Sequence, residues 1–153
     1  MAGSSRHPSR GVLGVALLTL VSSCVTLHPG EPPLPIGAVL LATPAVYREW
    51  HLKTESCSGL SGHFSAVEWY VVPGVSSFAT AKGPQAGMWA LQGGTHRIIV
   101  AGKYLDHEMV IRHEILHALL ARAGHPPEYF VTRCNLTWES WGGAIAASEP
   151  SRH

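Results

Sequence analysis

The sequence is short of most features that would assign it elsewhere. Net charge is only +1 at neutral pH, so the electrostatic footprint of a nucleic-acid binder is missing. No internal repeat and no long run of like charge occur, which excludes a repeat array and a charged tail. Cysteine is scarce, at three residues, and no two stand at C-x-x-C spacing, which argues against a thiolate zinc site. The longest apolar run, Gly11 to Val21, is too short to span a bilayer as a stable helix.

That run has a different use. Arg6, His7 and Arg10 place positive charge ahead of it, and it ends Leu20-Val21-Ser22-Ser23-Cys24. A basic start, a short apolar core and small residues are the parts of an export signal. Their arrangement before a cysteine resembles a bacterial lipoprotein signal over residues 1–23. The resemblance implies cleavage before Cys24 and attachment of lipid to Cys24, hence a cell-envelope location facing the periplasm. Val25, which is not an aspartate, leans by the same resemblance towards the outer membrane. The alternative is a plain secretory signal cut elsewhere. Residues 24–37 hold Pro29, Pro32, Pro33 and Pro35 without periodicity and read as a semi-rigid tether.

About 130 residues remain after the leader, enough for one domain, which we place at 38–150. If Cys24 carries lipid, Cys57 and Cys134 are left to pair in an oxidising compartment. Thr43-Pro44 is expected to open a helix running to about Ser56, followed by a loop over Gly59 to Gly62. A strand is expected over Phe64 to Val72, with Val67, Trp69 and Val71 on one face, ended by Pro73-Gly74. Phe78 to Gln85, with its Gly-Pro break, reads as loop. Short strands over Met88–Leu91 and His96–Ala101 flank a tight turn at Gly93-Gly94. Trp138 to Ile145 reads as a short closing segment.

The chemistry concentrates in His113-Glu114-Ile115-Leu116-His117, which spells H-E-x-x-H. The surrounding stretch, Asp106 to Ala123, is apolar around most of a helix and therefore expects burial. Asp106 is a candidate N-cap and Gly124 with Pro126 and Pro127 a stop signal. Four residues apart on a helix, His113 and His117 lie on one face and can share a zinc ion. Glu114 beside them can take a proton from an activated water. Burying these three polar groups unpaired would be costly, and a metal removes that cost.

Catalytic zinc commonly takes three protein ligands. His125 is the first choice for the third, with Glu139 and Glu128 as competitors. A continuing helix would place position 125 about 12 Å beyond position 117. The chain is therefore expected to turn back at Gly124, where glycine permits a left-handed residue. Pro126 and Pro127 then suit the first turn of a second helix through Glu128-Tyr129-Phe130-Val131.

His113-Glu114-x-x-His117, followed by His125 and Tyr129-Phe130, resembles the zincin metallopeptidases. The likeness is strongest to the small SprT-like, minimal-zincin group and covers about residues 96 to 134. The metzincin spacing is absent, and no full thermolysin-type helix surrounds a glutamate. The resemblance implies an α+β fold, a small zincin-like domain whose short mixed or antiparallel sheet packs on the His113–His117 helix and flanking helices. It implies a zinc-dependent peptidase acting on peptides or proteins, with His113, His117 and His125 as metal ligands and Glu114 as the catalytic base. In zincins the strand just before the metal helix commonly forms the edge that receives an extended substrate, so the 96–101 strand is either that edge or an ordinary core strand. No residue stands out as oxyanion stabiliser; Tyr129, His107 and Arg97 are guesses, and His96 and His107 read as outer residues. Two other readings stay open: a non-enzymatic zinc-binding envelope lipoprotein, and a structural lipoprotein without metal.

Overall fold

A computed structural model describes residues 33–141. The expected leader, Cys24, most of the tether and residues 142–150 lie outside the described residues. Leu34, assigned above to the tether, packs against the cluster of Val72 and Phe78, so the folded unit begins before residue 38.

In chain order the elements are β1 (Val39–Leu40), α1 (Val46–Ser58), β2 (Val67–Val72), β3 (Phe78–Thr80), β4 (Gly83–Gln85), β5 (Gly87–Gln92), β6 (Thr95–Ala101) and α2 (Glu108–Leu120). A π-helical segment, Glu128–Arg133, follows. Helices and one small mixed sheet thus give an α+β fold. The sheet order is β1-β2-β6-β5, with β2 and β6 parallel and the outer pairs antiparallel. Gly93 and Gly94 both take positive φ, 56° and 84°, as the two-residue turn between β5 and β6 demands.

Period-two alternation explains the two faces of the sheet. Trp69, Ile98 and Val100 turn to the helices and meet Tyr47 and Trp50 of α1, Ile115 and Leu116 of α2, and Phe130. Ile99, Ala101 and Val72 turn the other way, onto Phe78. α2 is buried on nearly all sides, as its all-round apolar sequence requires, and even Arg112 is enclosed. Arg112 reaches Glu108 at 3.0 Å and Thr54 Oγ1 at 3.3 Å, stitching α2 to α1. Cys57 and Cys134 form a disulfide with a Cα separation of 5.2 Å, joining the end of α1 to the end of the π segment.

Several expectations need correction. α1 starts at Val46, not Thr43, because Pro44 and Ala45 accept from Tyr47 and Arg48 in tighter three-residue turns that precede it. Phe64–Ala66 is a 3₁₀ turn, and the strand begins only at Val67. Residues 78–85 are not loop but a hairpin, β3 paired antiparallel to β4, with Pro84 tolerated in a two-stranded ribbon. β6 is not an edge: it lies between β2 and β5, and the outer strands of the sheet are β1 and β5. Asp106 does not cap α2; His107, extended at φ −96°, holds that position without a side-chain cap bond. The left-handed turn that ends α2 falls on Ala121, at φ 49°, and not on Gly124.

Candidate metal centre

α2 carries His113 and His117 one turn apart, and the chain then reverses at Ala121 to return His125. The Nε2 atoms of His113 and His125 lie 3.0 Å apart, and those of His117 and His125 lie 3.1 Å apart. A donor atom from each of the three histidines falls within 4.8 Å of the others. Four-coordinate zinc at roughly 2.05 Å from imidazole nitrogen would separate its ligand atoms by about 3.3 Å, so the spacing suits one small cation.

The far side of each ring sets the proton. Nδ1 of His113 sits 2.6 Å from the Leu136 carbonyl oxygen, and Nδ1 of His117 sits 2.9 Å from that of Arg122. A carbonyl oxygen only accepts, so each Nδ1 carries its hydrogen and donates. Both Nε2 atoms are then bare lone pairs facing His125. One N–H on His125 could satisfy one of them, not both. The residues therefore fit a cation, and the two carbonyls orient the rings in the way ligand imidazoles are usually held.

Ala121 explains the return of the chain. A left-handed alanine costs about 1–2 kcal/mol. Against it stand the Ala121 and Arg122 N–H groups, which bond carbonyls of the last turn, and the His117 bond to the Arg122 carbonyl, which this turn brings within reach. Phe130 forms the floor. Fully buried, its ring lies 4.8 Å from the rings of His113 and His117 and 4.9 Å from that of His125. The π segment sets its position. Cys134 N–H reaches back five residues to the Tyr129 carbonyl, and Leu136 N–H donates to the Phe130 carbonyl itself.

Glu114 shares the cavities of the three imidazoles and packs its carboxylate against the backbone of β5 at Gly87 and Trp89. Its carboxylate has no ion-pair partner among the described residues and accepts from the Trp89 backbone N–H. Burial pushes it up to about 8, the Trp89 bond opposing. His117 is held down to about 4, chiefly by burial and then by the neighbouring His113, His125 and Lys82, against the pull of its carbonyl bond. Burial lowers His113 and His125 too, with Lys82 adding to the effect on His125. A basic carboxylate beside neutral imidazoles is what proton abstraction next to a cation needs.

Of the competing ligands, Glu128 is held by Arg133 at 2.6 Å, and Glu139 lines a neighbouring cavity without joining the three histidines. Arg97 is engaged with Glu68 at 2.8 Å, Tyr129 lies under Arg133, and His107 packs between Tyr104 and Trp138. His96 accepts from Trp89 Nε1 at 3.1 Å, behind the indole stacked on His117. Sequence reasoning missed Gly87, Trp89 and Lys82, which line the site from β5 and the β3–β4 hairpin. No local signal in the sequence marks them, because they reach the site through the pairing of strands.

Comparisons with protein-family profiles, with curated proteins and with solved structures found no match to this chain.

Proposed function

We propose that this chain is a zinc-dependent peptidase of the bacterial cell envelope, anchored through lipid on Cys24. The observation that carries the catalytic reading is the convergence of three imidazole nitrogens beside a buried, unpaired Glu114 on an open cleft. His113, His117 and His125 would hold the ion. Bound there, zinc supplies the Lewis acid that polarises a carbonyl and makes water acidic near neutral pH.

The remaining work falls to the protein. Glu114 takes the proton of the attacking water and delivers it to the departing amine. The Trp89 N–H fixes the orientation of the carboxylate for that transfer. The carbonyls of Leu136 and Arg122 keep two rings in the required tautomer. The open edge of β5, running past Glu114, gives an extended peptide a line of main-chain partners. The Cys57–Cys134 disulfide is in keeping with an oxidising compartment.

The test is made on the oxidised fragment starting at Val25. About one zinc per chain is expected, lost or much weakened in His125→Ala. Peptide hydrolysis should vanish in Glu114→Gln while zinc stays. Zinc with no turnover on any peptide library would instead favour a non-enzymatic zinc-binding lipoprotein, and a folded fragment without zinc would remove the peptidase reading.

A further inference from the structure

Two cavities flank the three imidazoles and share Gln85, Gly87, His113, Glu114 and His125, so they meet at the site. One, about 260 Å³, passes Met109 and Trp138 and carries Glu139 on its wall. The other, about 270 Å³, is walled by Met88 and Trp89 of β5 and by the tip of the β3–β4 hairpin, and carries Lys82. Among the described residues, Lys82 is the sole lysine or arginine lining either cavity.

Lys82 is built into its turn. Thr80 Oγ1 accepts the Lys82 N–H at 3.1 Å and donates to the Gly83 carbonyl at 2.8 Å. Gly83 takes φ 97°, which closes the turn and requires glycine. Lys53, Arg97, Arg112 and Arg133 are each paired with a carboxylate, whereas Lys82 has no such partner among the described residues. Lys82 lines the same cavity as His113, His117 and His125, so its side chain borders the space in front of the imidazoles. An unpaired cation on a half-apolar wall beside a metal centre is complementary to an anion on a short apolar stem.

We propose that Lys82 makes this arm of the cleft select substrates with a carboxylate near the scissile bond. The inference rests on the peptidase reading and narrows its substrate class. The carboxylate can come from a peptide's C-terminus or from an acidic side chain.

The probes are monohydroxamates of straight-chain dicarboxylic acids, from succinic to suberic, each beside its terminal amide. The hydroxamate takes the metal and the far end tests Lys82, whatever the direction of a natural peptide. Calorimetry on the zinc-loaded protein should show the best acid binding about three- to tenfold tighter than its amide. Lys82→Gln should erase that gap and leave amide binding alone, Lys82→Arg should keep it, and added salt should shrink it. Equal binding of acid and amide by the wild type, or a gap that survives in Lys82→Gln, overturns the proposal. No binding of any hydroxamate overturns the metal centre itself, a separate failure. Competition by a peptide with only a terminal carboxylate, against a C-amidated peptide with one aspartate, identifies the source. Competition by either that is unaffected by Lys82→Gln also counts against Lys82.

Discussion

Gly87 leaves no room for even one carbon beside Glu114: a Cβ there would lie 2.7 Å from Oε1 and 2.9 Å from Cγ. The edge strand and the candidate base are thus fitted backbone to carboxylate. Gly87→Ala should displace Glu114 and lower kcat/KM by about 10²–10³-fold, within the range general-base catalysis contributes. Zinc content should stay at the wild-type value. Activity unchanged in a folded Gly87→Ala protein would separate Glu114 from the reaction.

Phe130 supports all three histidine rings from one buried position. Phe130→Ala should destabilise the fold by about 3–5 kcal/mol, as large-to-small core changes do. Phe130→Leu should fold more stably than the alanine variant yet bind zinc more weakly than wild type. Chelator competition and urea unfolding measure the two effects separately, and wild-type zinc affinity in Phe130→Leu would argue against the floor role.

Metal-free protein should be most stable near pH 6.5. Glu114 has its folded pKa raised to about 8, so the folded state binds the extra proton, and stability rises as pH falls from 8. His117, lowered to about 4, and His113 and His125, also lowered, act oppositely. Below about 6.5 the unfolded chain takes protons that the folded one refuses, and stability declines towards pH 4. Urea midpoints across this range test the shape. Glu114→Gln should abolish the alkaline limb and keep the acid one.

Replacing Cys57 and Cys134 together by serine removes a bridge across a separation of 77 residues. Loop-closure entropy places the loss of stability at about 4–5 kcal/mol. The urea midpoint of the double variant, set beside that of the wild type reduced by dithiothreitol, checks it. Because the bridge ends next to the segment holding Phe130, zinc affinity should fall as well.

The local rules carried the reading of α2, since an all-round apolar helix with two histidines at i and i+4 has few other solutions. They also placed His125 near the site, but by the wrong turn. Gly124 is the residue that intrinsic preference selects, whereas tertiary bonds from His117 and the last helical turn hold Ala121 left-handed. The hairpin at 78–85 was hidden because three-residue strands are too short for periodicity and Pro84 argues against any strand. Whether β6 is an edge or a core strand stayed open in the sequence because strand order is a long-range property: β2, about thirty residues earlier, pairs with it in parallel. Gly87 and Lys82 reach Glu114 and the histidines only through that topology, so no local signal marks them.

The Cys57–Cys134 bridge closes most of the domain into a covalent ring that contains β2 to β6, α2 and all three imidazoles. A ring survives one cut without dividing. The exposed hairpin tip at Ala81-Lys82 is the kind of place where a protease enters. A chain nicked there would keep every zinc-facing residue on one molecule. Its two new ends, one of them a carboxylate at the mouth of the cleft, would stay tethered beside the centre until a reductant released them.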